Sequence, residues 1–86
     1  MKELEIWLQN LPEGYSERMF ECQKYGTTKT SFSNGKSCKV YAKALGHNDF
    51  VSFNCYRLEN EVLLKPCEMP QEKVVNFIKN SHKIEE

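Results

Sequence analysis

Residues 37–57 admit one strand pairing. Cys38, Val40, Ala42 and Ala44 alternate with Lys39, Tyr41 and Lys43. After the turn Leu45-Gly46-His47-Asn48-Asp49, Val51, Phe53 and Cys55 alternate with Phe50, Ser52, Asn54 and Tyr56. A side-chain period of two is the mark of a half-buried strand. With the hairpin centred between Gly46 and His47, Cys38 falls opposite Cys55, Val40 opposite Phe53, and Ala42 opposite Val51. Both apolar sets then share one face, and a slip of one residue scatters them. The hairpin thus has an oily side and a side carrying lysines and rings.

The flanking sequence extends this hairpin into a meander. Thr, Val, Phe and Tyr dominate short runs punctuated by Gly, Asn and Ser, which predicts strands over 16–24, 26–32, 37–44, 50–58 and 61–65. Turns are expected at Ser33-Asn34-Gly35, at 45–49 and at Glu59-Asn60; Asn-Gly in particular tolerates the positive φ of a tight hairpin. Before the strands, Leu4, Trp7, Leu8 and Leu11 recur at helical spacing until Pro12 stops them, and Trp7 reads as a core anchor. After the strands, a second helix is expected with Pro70 at its first position and Glu72 in its first turn. Val74, Phe77, Ile78 and Ser81 mark its inward face, with Val75 beside them. Lys79, His82 and Lys83 lie near its end, and residues 83–86 are expected to fray. The fold class is α+β: an antiparallel meander of four to five strands with an N-terminal and a C-terminal helix, one domain over residues 1–86.

At 86 residues and 40% hydrophobic content, ten aromatics included, there is material for one core but not for a deep enclosed pocket as well. Function is therefore expected in a groove or on an open sheet face. No apolar run approaches the roughly 18 residues of a membrane span. The start Met1-Lys2-Glu3-Leu4-Glu5 lacks the pattern of a secretion signal, so the expected location is cytoplasmic and no membrane partner is expected.

Net charge is zero, but it is segregated. Residues 18–57 hold seven cations against Glu21 and Asp49, a balance of +5, flanked by −3 before and −2 after. Cations neutralise phosphate and rings stack on unpaired bases. Lys39, Tyr41, Lys43, Phe50, Tyr56 and Arg57 are accordingly the candidate binding residues of a non-catalytic module, with nucleic acid or an acidic protein as partner. The same face also fits an ordinary wet sheet surface, or one partly covered by the acidic helices. There is no RNP-type aromatic motif and no Gly-x-x-Gly clamp.

Four cysteines, Cys22, Cys38, Cys55 and Cys67, are separated by 15, 16 and 11 intervening residues, without the close pairs of a zinc site, and no cofactor is expected. Nothing points to export, so Cys38 and Cys55 read as small buried hydrophobes side by side rather than as a disulfide. Cys22 is structural or incidental. Cys67, three residues before Pro70, is the weak candidate nucleophile, because a helix N-terminus favours a thiolate while Glu68 opposes it. His47 has Asp49 two positions on, a pairing able to orient an imidazole. No hydrolase elbow, phosphate loop or metalloprotease motif occurs.

Three stretches carry a resemblance: Asn34-Gly35-Lys36-Ser37 with Lys39-Val40-Tyr41-Ala42; Asn48 through Tyr56; and Leu64-Lys65-Pro66-Cys67-Glu68-Met69-Pro70. Together, over roughly residues 12–79, the chain resembles short bacterial proteins labelled peptide methionine sulfoxide reductase. That label implies reduction of the sulfoxide by a cysteine thiolate, with Cys67 the position to test. Neither the Gly-Cys-Phe-Trp motif of one reductase class nor the Cys-x-x-Cys pairs and Arg-x-Cys-x-Asn setting of the other is present.

Overall fold

In the computed structural model, strands Ser37–Ala44 and Phe50–Arg57 pair with Cys38 opposite Cys55, Val40 opposite Phe53 and Ala42 opposite Val51, the register that alternation predicts. Residues 2–84 are described, with side chains from Glu5 onward; the side chain of Leu4 and the expected fraying of Glu85-Glu86 lie outside the described residues. In chain order the elements are α1 (Lys2–Gln9), β1 (Gly14–Phe20), β2 (Gln23–Phe32), β3 (Ser37–Ala44), β4 (Phe50–Arg57), β5 (Val62–Pro66), α2 (Gln71–Asn80) and β6 (His82–Lys83). They build one six-stranded sheet of order β5-β4-β3-β2-β1-β6, antiparallel throughout.

The sheet departs from expectation at its first turn and at its last strand, and the other strand ends shift by two residues at most. The first hairpin turns at Glu21-Cys22, not near residue 25, and Phe20 pairs with Gln23. Both turn residues have positive φ, 51° and 63°, as a two-residue hairpin of matching twist demands. The sixth strand was not expected either. His82 and Lys83 leave the helix and pair with Met19 and Arg18, so His82 belongs to the sheet edge rather than to a frayed helix end. Pro70 precedes α2 in extended conformation (φ −67°, ψ 149°) instead of opening it.

Both helices cover the same face of the sheet. Val40, Ala42, Val51 and Phe53 from the sheet and Val74 and Phe77 from α2 are wholly buried, joined by Leu8 and Leu11 from the first helix and its following turn. Trp7 packs partly buried against this cluster. Phe20, Tyr25 and Phe77 form an aromatic knot, with ring centroids 5.1–5.7 Å apart, tying α2 to the first hairpin; such pairs contribute about 0.5–1.5 kcal/mol each beyond burial.

Two inward-facing cations finish the helices. Lys29 Nζ donates to the carbonyls of Leu8 (3.0 Å) and Leu11 (3.1 Å), where α1 ends. Arg18 donates from Nε to Ser81 Oγ and from Nη2 to the Ser81 carbonyl, where α2 ends. The last carbonyls of a helix lack intrahelical donors and carry partial negative charge, so a cation is favoured there. Burial lowers the pKa of both groups.

Candidate binding face of the sheet

With both helices on one side, the other side of the sheet is left open, save at Ser52 of β4, which is buried. Strand alternation aims Tyr15, Glu17 and Met19 of β1 at it. Lys24, Thr28, Thr30 and Phe32 of β2 face the same way, as do Lys39, Tyr41 and Lys43 of β3. From β4 and β5 come Phe50, Asn54, Tyr56, Leu63 and Lys65. Six large apolar side chains here are between 39% and 62% exposed: Tyr15, Phe32, Tyr41, Phe50, Tyr56 and Leu63. Four lysines (24, 39, 43 and 65) stand against one strand carboxylate, Glu17, which Lys24 meets at 3.6 Å.

The centre of interest is the β3–β4 end of this face. Tyr41 and Phe50 stack with centroids 6.1 Å apart and planes 28° from parallel. Lys73, from the first turn of α2, reaches round the rim to stand 5.8 Å from the Phe50 centroid. Tyr41, Lys43, His47, Asn48, Asp49 and Phe50 line an open hollow of about 310 Å³. Asp49 does not orient His47. Its carboxylate accepts from Lys73 Nζ (2.7 Å) and from the buried Tyr25 hydroxyl (2.6 Å). These two donors hold the Asp49 carboxyl below its ordinary pKa, and burial with the Asp49 contact raises that of Tyr25. His47 meets the Tyr25 ring edge-on at 6.1 Å. The one acidic group of the hollow is thus engaged by donors, leaving Lys43 as its outward charge.

The second aromatic group lies at the opposite end of the face. Phe32, Ser37, Tyr56 and Leu63 occupy one row of the ladder, four residues and so roughly 13 Å along the strands from Tyr41. Lys39 and Asn54 pair in the row between. A third ring, Tyr15, lies across Gly26; a Cβ there would come within 2.7 Å of the Tyr15 hydroxyl, so the glycine makes room for the ring.

Five of the six predicted binding residues, Lys39, Tyr41, Lys43, Phe50 and Tyr56, therefore share this face. Arg57 does not. It has the parity of Val51, Phe53 and Cys55, points to the helix side and meets Glu5 of α1 at 3.9 Å. Arg18 and Lys29 are drawn inward in the same way, so the basic balance of residues 18–57 is divided between the faces. Ser52, expected outward, is buried; the chain after β5 runs beside it, with Cys67 N–H donating to the Ser52 carbonyl at 2.9 Å. Tyr15, Phe32, Lys24 and Lys65 were not singled out in the sequence, although the same alternation places them.

The cysteines also depart from expectation. Cys38 and Cys55 are joined by a disulfide across the β3–β4 ladder, Cα atoms 5.2 Å apart, and are not separate buried thiols. Cys22 is free and exposed at the first hairpin tip; Cys67 is free and half-buried. Cys22 sits in the β1–β2 turn and Cys67 follows β5, and three interstrand spacings, roughly 15 Å, separate β2 from β5. Among the described residues, no three His, Cys, Asp or Glu side chains are placed to hold a metal ion, and no helix is long and apolar enough to cross a membrane.

Comparison with protein-family models, curated proteins and solved structures finds no match to this chain.

Proposed function

We propose that this protein is a non-catalytic binding module that takes single-stranded nucleic acid on the open face of its sheet. The observation that carries this reading is the stacked, exposed pair Tyr41–Phe50 (43% and 40% accessible) on a surface where lysines outnumber carboxylates. A ring open to water offers a flat surface for an unpaired base, a contact worth about 1–3 kcal/mol per base. Lys39 and Lys43 border the pair and supply charge for the backbone between bases, while the Lys73 ammonium beside Phe50 is held by Asp49. An acidic protein matches the lysines but leaves the rings without a flat partner.

Fluorescence anisotropy of labelled single-stranded RNA and DNA, titrated at low and moderate salt, tests this. Saturable binding that weakens with salt supports it. Absence of binding at low salt removes it, and binding of an acidic polypeptide alone would move the proposal to a protein partner. The reductase function implied by the sequence resemblance draws no support from the thiols. Cys67 has no cysteine positioned to resolve an oxidised sulfur, since Cys55 is bonded to Cys38 and Cys22 lies across the sheet.

A further inference from the structure

We infer that the Cys38–Cys55 disulfide is a site of thiol–disulfide exchange with a small anionic thiol, on the side of the sheet opposite the binding face. Although 6% and 8% exposed, the two cysteines are not sealed in the core. Both line a cleft between α1 and the ends of β2, β3 and β4. The cleft holds about 50 Å³ of space, against the roughly 30 Å³ share of one water in the liquid. It admits a sulfur and its methylene, but not a peptide. Whatever carries the thiol must lie across the rim.

The rim is cationic. Lys36 and Arg57 stand at it, and Glu5 is the one acidic lining residue, facing Arg57 at 3.9 Å; Lys29 also lines the cleft, but its ammonium is turned to the Leu8 and Leu11 carbonyls. Glu13 lies nearby but is turned to Ser31, accepting from its N–H (2.7 Å) and hydroxyl (2.8 Å). Lys36 is exposed and makes no ion pair among the described residues, and its carbonyl accepts from Arg57 N–H at 2.7 Å, which joins the two backbones beside the last rung of the ladder. Cations beside a disulfide favour exchange twice over. They concentrate an anionic attacking thiol, and they stabilise the thiolate that leaves. Neither free cysteine lines the cleft, so the attacking sulfur comes from another molecule.

The chemistry balances with two equivalents of thiol. One thiolate attacks a sulfur of the pair, forming a mixed disulfide and releasing the other cysteine as a thiolate. A second thiolate attacks the mixed disulfide, releasing the remaining cysteine and leaving as the oxidised dimer of the reagent. The protein gains two electrons, and the two protons lost by the reagent end on Cys38 and Cys55.

The test uses the full chain with Cys22→Ser and Cys67→Ser, so that only this pair reacts. Purified protein is treated at neutral pH with glutathione, an anionic thiol, or with cysteamine, a cationic one, then acid-quenched and weighed by intact-mass spectrometry. The expected result is a mixed disulfide under native conditions, forming roughly fivefold faster per thiolate with glutathione than with cysteamine. Lys36→Gln, an exposed change that should leave folding intact, should narrow that preference, as should raised salt. Equal rates for the two reagents would overturn the proposal. So would opening that occurs only with global unfolding, or purified protein in which Cys38 and Cys55 are already free thiols after exposure to air.

Discussion

Arg18 Nε stands 3.0 Å from Ser81 Oγ and its Nη2 3.1 Å from the Ser81 carbonyl, so one guanidinium on the first strand closes the helix at the other end of the chain. The group is buried, and among the described residues no carboxylate lies within ion-pair reach of it. Its stabilisation therefore comes from hydrogen bonds and from the helix end. Arg18→Ala removes two charge-assisted bonds, strands the Ser81 hydroxyl and carbonyl, and empties the space of the side chain. A loss of about 3 kcal/mol is expected in urea unfolding. Arg18→Lys keeps the charge but not the fork, and should recover less than half of that.

Asp49 makes stability depend on pH. Its carboxylate accepts from Lys73 and Tyr25, and these bonds depress its folded pKa below the ordinary 3.8. A depressed carboxyl contributes fully above its unfolded pKa, and the contribution is lost as pH falls through the folded value. Asp49→Asn should cost about 1–2 kcal/mol at neutral pH. The gap from the wild-type should close below pH 4 in a series of urea melts. On the alkaline side the sign reverses. Burial first, then the Asp49 contact, raises the Tyr25 phenol above its ordinary 10.0. Its contribution is intact below that value and declines above it, so Tyr25→Phe should flatten the alkaline limb.

How far the sequence revealed these arrangements depended on which force set them. The β3–β4 register was legible because one face is apolar and a slip would expose it. Arg57 was legible by the same parity, since it alternates with Val51, Phe53 and Cys55, yet its charge outweighed its position in the reading of the face. The inward turn of Arg18 and Lys29 has no local signature; each is decided by a helix end that arrives from far along the chain. Strand β6 is two residues long and exists only because Arg18 and Met19 present an open edge. Alternation placed Cys38 beside Cys55, but position alone does not distinguish two thiols from a bond. The first hairpin escaped because Glu-Cys carries none of the Gly or Asn that positive φ ordinarily recruits.

That hairpin offers a stabilising change. Glu21 and Cys22 hold φ of 51° and 63°, each an L-residue in the left-handed region, at a cost of roughly 1–2 kcal/mol per residue. Asn-Gly adopts this conformation readily. Replacing the pair by Glu21→Asn with Cys22→Gly should raise stability by about 1–2 kcal/mol, read as a higher urea midpoint with an unchanged slope. An unchanged or lower midpoint would mean that the two residues are not strained.

Thr27 offers another. It is 1% exposed and stands opposite Ser16 in the ladder, and among the described residues neither hydroxyl has a hydrogen-bond partner. In the unfolded chain both are hydrated, so burying them is unfavourable. Thr27→Val keeps the branched shape and the strand preference while removing the orphaned oxygen, and should stabilise by about 1–2 kcal/mol. Ser16→Ala should do less, because Ser16 is only partly buried. Differential scanning calorimetry of the two variants and their combination gives the comparison.

The open face predicts opposite outcomes for residues that look alike in the sequence. Tyr41→Ala and Phe50→Ala each remove one ring of the stacked pair, and each should weaken oligonucleotide binding by about 1–3 kcal/mol. Because both rings are exposed, folding should be disturbed far less than affinity. Lys39→Gln and Lys43→Gln should act through salt instead. Each phosphate of a single strand that is no longer neutralised makes the slope of log affinity against log salt shallower by about 0.7. Arg57→Gln is the internal control. Its charge equals that of Lys43, and both fall in the basic middle of the chain, but Arg57 faces α1 from the other side of the sheet. Its removal should leave affinity and salt slope where they were. If Arg57→Gln weakens binding as much as Lys43→Gln, the ligand is responding to overall charge rather than to the face, and the stacked rings are not its platform.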